Sequence, residues 1–160
     1  MDIHKGSCVC GALRWETSSD PLRVTICHCQ FCQRTTGTAY FVEPIFEVDN
    51  FAITAGKPIT YNHRSTGSGK IVAVHFCGVC GSKSHLNFER FPNVVGVYAG
   101  GFEDPNWFKI EAGNSKHIFL DAARTGTVIP PGIPTYQQHA MQNDGTPCSA
   151  TIFEDFHQIP

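Results

Sequence analysis

Seven of the eight cysteines of this chain stand in short clusters, a spacing typical of thiolates that bind a soft metal ion. The clusters are Cys8-x-Cys10, Cys27-x-Cys29-x-x-Cys32 and Cys77-x-x-Cys80. Cysteines this close in sequence are poorly placed to pair with each other as disulfides. Free cysteines that merely fill a core would not need such spacing. In a reducing compartment the pattern therefore favours zinc over a disulfide framework.

The seven clustered cysteines divide into a group of four and a group of three, which are the numbers of protein ligands of two kinds of zinc site. A structural zinc takes four protein ligands, whereas a catalytic zinc takes three and keeps one position open. One short loop can wrap Cys27, Cys29 and Cys32 around a single ion. The other two clusters are then two pairs left to share a second ion: Cys8, Cys10, Cys77 and Cys80. The sequence thus predicts two zinc ions per chain, the four-cysteine one structural.

The role of the three-cysteine cluster remains open at this level. A fourth ligand from His28, from a remote histidine or from Cys148 would make it structural as well. We expect His28 to point away from the ion and to lie beside the ligands or on the surface. Arg34 is a candidate for bidentate binding of a substrate carboxylate and equally for a surface cation. Two histidines flank the last cluster and are more typical of core or surface residues than of proton carriers: His75 and His85.

Composition narrows the class of protein. The chain has 160 residues, 41% hydrophobic and 16% charged, which is typical of one globular domain. Its formal net charge of −2 argues against binding nucleic acid or an anionic membrane. No apolar run approaches the length of a membrane span, and the first residues lack the apolar stretch of a signal peptide. We therefore expect a cytoplasmic protein.

The elements that must position these cysteines are predicted to be mainly β-strands. Short β-branched and aromatic segments recur between glycines and prolines. The predicted strands are Leu13–Thr17, Arg23–Cys27, Ala39–Val42, Phe51–Ala55, Ile59–Asn62, Ile71–Phe76, Ser84–Phe88, Val94–Ala99 and His117–Phe119. A turn or two of helix is predicted over Gln33–Thr36. Each C-x-C must bend at a strand end, because alternate strand residues lie about 6.6 Å apart and zinc-bound sulfurs about 3.8 Å.

Several longer motifs resemble those of one known family. They are Gly6-Ser-Cys-Val-Cys-Gly-Ala-Leu-Arg-Trp15, Cys27-His-Cys-Gln-Phe-Cys-Gln-Arg-Thr-Thr-Gly37, Phe76-Cys-Gly-Val-Cys-Gly81 and Gly100-Gly-Phe-Glu-Asp-Pro105. On these motifs the chain resembles the glutathione-dependent formaldehyde-activating enzyme (GFA) family, also called the centromere protein V/GFA domain family. The resemblance implies zinc-stapled, bent antiparallel sheets, the β-tent fold. It also implies a structural zinc on Cys8, Cys10, Cys77 and Cys80 and an active-site zinc on Cys27, Cys29 and Cys32.

The resemblance carries an expected function with it. It implies a carbon–sulfur lyase or thiol-adduct synthase acting on a small electrophile, with the glutathione–formaldehyde adduct as the name-giving substrate. One alternative is a relative that uses the same zinc for elimination or dehydration of a specialised metabolite. The other is a non-catalytic, zinc-stapled interaction module. The family's late tryptophan has no clear counterpart after Asp121, although Ile133-Pro-Thr-Tyr136 resembles its closing element.

The domain organisation is expected to be simple. We predict a GFA-like catalytic domain over residues 1–136 and an extension over residues 137–160 that packs on the domain or on a partner subunit. The strand-rich pattern leaves sheet edges, which makes a homodimer reasonable.

Overall fold

The computed structural model describes residues 2–160, which form two compact units. The first unit is formed by the described residues of Met1–Leu22 and by Pro44–Phe108, and the second by Arg23–Glu43 and Lys109–Pro160. Each unit therefore takes its residues from two separate stretches of the chain. The boundary predicted at residue 136 lies inside the second unit, and the division of the chain there stays a prediction.

Strands dominate both units, which confirms the mainly β class. In chain order the elements are β1 (His4–Ser7), β2 (Arg14–Thr17), β3 (Arg23–Cys27), α1 (Gln30–Thr36), β4 (Phe41–Glu47), β5 (Phe51–Ala55), β6 (Ile59–Arg64), β7 (Ile71–Phe76), β8 (Lys83–Phe88), β9 (Val94–Val97), β10 (Ser115–Ile118), β11 (Val128–Ile129) and β12 (His157–Gln158). Across residues 2–160, no helix has the length and apolar character needed to cross a membrane.

The first unit contains two antiparallel sheets. One has the strand order β1-β2-β5, and the other has the order β4-β9-β8-β7-β6, to which β4 contributes residues 44–47. Alternating β-branched and aromatic side chains, as in Ile71-Val-Ala-Val-His-Phe76, favour these strands. The turn between β7 and β8 carries one of the cysteine clusters.

The core of the first unit surrounds Trp15, which is 1% exposed. The backbone at Gly6 and at Gly101 approaches its indole ring so closely that an added Cβ atom would lie 2.4 Å from a ring atom. Cys8 and Cys77 belong to the same apolar cluster. Core packing therefore holds one cysteine of each pair in place.

The second unit is built around a parallel strand pair. β10 pairs with β3 in the register from Ser115↔Val24 to Ile118↔Cys27, and β4 follows β3 on the other side. Helix α1 begins shortly after β3 ends, and β11 pairs with β12 in a separate antiparallel ladder. This arrangement places the end of β3 and the start of α1 next to each other, where the middle cysteine cluster lies.

Three predicted strands have the observed bounds, Arg23–Cys27, Phe51–Ala55 and Ile71–Phe76. The strand predicted at Ala39–Val42 is displaced, since β4 runs from Phe41 through Pro44 to Glu47. Proline has no N–H to donate to a neighbouring strand, so Pro44 is an unusual residue for the interior of a strand. The observed pairing of β4 with β9 begins only after it, at Ile45.

Other bounds were also predicted wrongly. β2 begins one residue later than predicted and β8 one residue earlier, while β6 ends two residues later and β9 two residues earlier. The strand predicted at His117–Phe119 runs over Ser115–Ile118, because Phe119 has a φ of 60° and its left-handed backbone ends the strand. The helix predicted at Gln33–Thr36 begins one turn earlier, at Gln30. Three short strands were not predicted: β1, β11 and β12.

Candidate metal centres

The four-cysteine centre lies in the first unit, where two turns bring distant cysteines together. The sulfurs of Cys8, Cys10, Cys77 and Cys80 all lie within 4.8 Å of one another. The Sγ atoms of Cys8 and Cys10 are 3.5 Å apart, and those of Cys10 and Cys77 are 3.8 Å apart. Tetrahedral Zn–S bonds of about 2.3 Å require sulfurs about 3.8 Å apart. This donor set therefore fits a closed zinc site.

Backbone donors help to hold these sulfurs. The N–H of Leu13 donates to Cys8 Sγ at 3.2 Å, and the N–H of Val79 donates to Cys77 Sγ at 3.4 Å. Cys80 Sγ lies 3.2 Å from the Ser82 hydroxyl, and when Cys80 is a thiolate the hydroxyl and backbone N–H of Ser82 donate to it, which lowers the pKa of Cys80 to about 5. Donors aimed at sulfur favour its thiolate form, which is the form that binds metal.

The three-cysteine centre lies in the second unit, at the junction of β3 and α1. Cys27 is the last residue of β3, Cys29 caps the N-terminus of α1, and Cys32 lies in its first turn. Their sulfurs lie within 4.8 Å of one another. The N–H of Cys32 donates to Cys29 Sγ at 3.4 Å, so one sulfur both caps the helix and joins the cluster.

The three sulfurs share one readily formed negative charge. Hydrogen bonds from Cys27 and Cys32 lower the pKa of Cys29 to about 3. Interaction among the same sulfurs raises the pKa of Cys27 and of Cys32 well above the ordinary value. Cys29 is partly exposed, whereas Cys27 and Cys32 are buried. The centre is thus a soft, anionic site in which Cys29 is the partly exposed ligand.

The alternatives for a fourth ligand find no support in the geometry. Within residues 2–160, no fourth Cys, His, Asp or Glu has its ligand atom within 4.8 Å of all three sulfurs. Cys148 is partly exposed and belongs to neither group. The donor set therefore fits a zinc with three protein ligands, as a catalytic zinc has. The roles of the seven cysteines remain predictions.

His28 is buried, so the surface position considered for it is wrong. It is 0% exposed, and its Nε2 lies 2.9 Å from Nδ1 of His117 on β10. Burial lowers the pKa of both histidines to about 4, so this pair is neutral at pH 7. The N–H of His28 donates to the carbonyl of Ile118 at 3.0 Å. The loop between two ligands is thereby fixed to the neighbouring strand.

Gln33 ties the start of α1 to the rest of the second unit. Its Nε2 donates to the carbonyl oxygens of His28 at 2.7 Å and of Ala122 at 2.8 Å. Sequence reasoning missed Gln33 and His117. Gln33 follows the cluster directly and is part of the motif, whereas the position of His117 depends on a long-range strand pairing.

Three charged residues in the second unit were also missed. Glu43 on β4 is 7% exposed, and burial raises its pKa to about 8, with the charge of Cys29 adding to the effect. Arg23 interacts electrostatically with Glu43, and Lys116 with Arg23. A local signal existed for Arg23, since Arg23 and Cys27 share one face of a correctly predicted strand.

The other charged or titratable candidates divide between the two units. Arg34 on α1 is exposed in the second unit. His75 and His85 are in the first unit, where their rings stack at 4.1 Å. His85 is buried and packs on Phe51, as a core histidine does.

The fold and the two cysteine groups define a mainly β protein suited to hold zinc in one closed site and one three-ligand site. The family model described as glutathione-dependent formaldehyde-activating enzyme matches residues 3–122. The chain therefore belongs to the GFA family, as its motifs predicted.

Among solved structures, the chain is similar to the crystal structure of a Rhodobacter sphaeroides protein, a structural genomics target. The two share 24% sequence identity with a TM-score of 0.50, over 62% of this chain and 87% of that chain. This likeness concerns the fold alone. A search of curated proteins gives no match to this chain.

Proposed function

We propose that the chain is a zinc-dependent carbon–sulfur lyase, or the thiol-adduct synthase of the reverse direction, acting on a small electrophile such as formaldehyde with glutathione as the thiol. One observation carries the proposal: three sulfurs converge with no fourth protein ligand among residues 2–160, and Cys29 is partly exposed. Membership of the GFA family supports the same class of chemistry.

The chain's own residues favour thiol chemistry over hydrolysis. When bound, zinc supplies a positive charge that favours the thiolate form of a thiol at its open position. Cys27, Cys29 and Cys32 would hold it, and together they bring three negative charges to the site. That charge weakens the polarisation of a water molecule and leaves thiol binding as the better use of the open position.

The proposed reaction balances without a further reactant. In the synthetic direction, the sulfur of the thiol attacks the carbonyl carbon, a C–S bond forms, and the carbonyl π bond becomes a hydroxyl that takes the thiol proton. The lyase direction reverses each of these changes. Neither direction needs an oxidant or a reductant.

Exchange of ¹³C-formaldehyde with its glutathione adduct, followed by NMR, tests the proposal. We expect the zinc-loaded protein to accelerate exchange, the Cys29→Ser variant to lose this acceleration, and the Cys148→Ser variant to keep it. Cys148 is a matched control because it is also partly exposed but lies outside both centres. Exchange at the uncatalysed rate with the zinc-loaded wild type would refute the proposal and favour a non-catalytic module.

We also propose a cytoplasmic homodimer. β6 is at one edge of the second sheet of the first unit and exposes Ile59 and Tyr61, which supports pairing with a second copy. Sedimentation equilibrium should give twice the chain mass, and a single-chain mass at micromolar concentration would contradict the dimer.

A further inference from the structure

The strand that ends at the three-cysteine centre carries positive charge on the same face. Successive side chains of a strand point to opposite faces, so Arg23, Thr25 and Cys27 of β3 share one face. Lys116 of β10 is in register with Thr25 and lies on that face as well. His117, the next residue of β10, points to the opposite face, where it contacts His28. Two cations therefore share one face of this strand pair with the first cysteine of the centre, and on that face Thr25 and Cys27 are buried whereas Arg23 and Lys116 are partly exposed.

Neither of these cations forms an ion pair among residues 2–160. Arg23 and Lys116 are each partly buried, and Arg23 Nε has no hydrogen-bond partner within residues 2–160. Burial, reinforced by the charge of Arg23, lowers the pKa of Lys116. Glu43 interacts with Arg23, but burial raises the pKa of this carboxyl to about 8, so it is mostly protonated at pH 7. No ion pair among residues 2–160 therefore balances the charge of Arg23 or of Lys116.

A structural ion pair between Arg23 and Glu43 is the simplest alternative explanation. Such a pair would join a guanidinium nitrogen of Arg23 to a carboxylate oxygen of Glu43, yet no ion pair between these two residues is present among residues 2–160. Arg23 Nε and Glu43 Oε1 are also buried there without a hydrogen bond. It would also leave Lys116 unexplained. A buried polar group without a partner is costly, and a ligand that supplies the missing acceptor relieves that cost.

We propose that Arg23 and Lys116 bind a carboxylate of the thiol substrate. Cys27 lies four positions after Arg23, which is about 13 Å along β3, and the reach of the arginine side chain shortens this distance. A substrate that uses both sites must therefore carry its carboxylate several bonds away from its sulfur. This inference rests on the proposed function, because it requires a substrate thiol at the three-cysteine centre.

Matched thiols of equal length test the proposal. Cobalt(II)-loaded protein is titrated with 6-mercaptohexanoate and with the neutral 6-mercapto-1-hexanol, and binding is read from the thiolate-to-cobalt absorption. We expect the carboxylate to bind at least about tenfold more tightly, which corresponds to about 1.4 kcal/mol. Mercaptoacetate and 2-mercaptoethanol form a short pair that cannot span the two sites, and we expect no such preference between them.

Variants locate the carboxylate. Lys116→Gln and Arg23→Gln should each reduce the preference to about threefold or less, and Lys116→Arg should keep it because the charge remains. Arg34→Gln and Arg124→Gln replace exposed cations of the second unit and should leave the preference unchanged. The absorption of cobalt at the four-cysteine centre reports whether each variant is folded.

The outcomes separate this proposal from the proposed function. Three results would each overturn the carboxylate site and leave the proposed thiol function intact. The first is equal binding of the neutral and the carboxylated long thiol, and the second is an equally strong preference in the short pair. The third is a preference that is lost in Arg34→Gln but kept in Lys116→Gln. If no thiol binds the cobalt-loaded wild type, the proposed function fails and the carboxylate site fails with it.

Discussion

The two cysteine centres should differ in how much they stabilise the folded chain. The double variant Cys10→Ser/Cys80→Ser removes the exposed ligands of the four-cysteine centre, and Cys29→Ser removes the partly exposed ligand of the other. Each variant leaves two thiols in its centre and spares the buried cysteines, so core packing is little disturbed. A serine at position 29 can still accept the N–H of Cys32, which preserves the cap of α1.

The difference follows from the length of chain that each centre closes. The first centre joins Cys10 to Cys77, which are 67 positions apart. A cross-link that closes a loop of that length contributes about 4 kcal/mol to the free energy of unfolding. The second joins only Cys27 to Cys32, for which the same relation gives about 2 kcal/mol. Gln33 already fixes that short loop through two hydrogen bonds, which reduces the contribution of the metal further.

Urea unfolding of the zinc-loaded proteins measures the difference. With a slope of about 2 kcal/mol per molar urea, the double variant should lower the midpoint by about 2 M and Cys29→Ser by less than about 1 M. After zinc is removed by a chelator, the urea midpoint of the wild type should fall towards that of the double variant. Equal losses in the two variants would mean that the three-cysteine centre is structural and would refute the reasoning.

Three further predictions concern residues outside the two centres. Burial raises the pKa of Glu43 from 4.5 to about 8, so the folded chain keeps a proton that the unfolded chain loses, and the resulting stabilisation is lost as pH rises through this window. Wild-type stability should fall by up to about 5 kcal/mol between about pH 4.5 and 8 relative to Glu43→Gln, and parallel urea-unfolding profiles would contradict this. Gln33→Leu removes a donor from two carbonyls and should cost about 2 kcal/mol in urea unfolding, whereas the exposed control Gln30→Leu should be near neutral. Gly56→Ala places Cβ 2.2 Å from a carbonyl oxygen at a φ of +77°, whereas Gly69→Ala at +69° meets open space. Gly69→Ala should cost about 1–2 kcal/mol and Gly56→Ala clearly more, and equal thermal shifts would refute the clash.

Much of the site could be predicted from the sequence because its ligands are close along the chain. Cys27, Cys29 and Cys32 need only one bend and one helical turn to converge. The four-cysteine group was predicted from the clustered cysteines that remain once Cys27, Cys29 and Cys32 are assigned to one ion. The motifs of the family predict the same group. Strand bounds were predicted best where β-branched residues run without interruption, and worst at Pro44 and Phe119.

The surroundings of the three-cysteine centre could not be predicted, because they depend on long-range pairing. β10 lies parallel to β3 and about ninety residues later, so no local pattern connects His117 with His28 or Lys116 with Arg23. The burial of His28 follows from the same pairing. Nothing in the sequence distinguishes Glu43, which directly follows the strand predicted at Ala39–Val42, and only the packing of β4 shows that it is buried.

Zinc K-edge X-ray absorption with and without a neutral thiol tests the central claim most directly. With both centres loaded, the cysteines supply four and three sulfurs, so the mean sulfur coordination per zinc should be about 3.5. Saturating 2-mercaptoethanol should raise it to about 4, and Cys29→Ser should abolish the increase. A mean that stays unchanged when the thiol is added to the fully loaded wild type would contradict an open, thiol-binding centre.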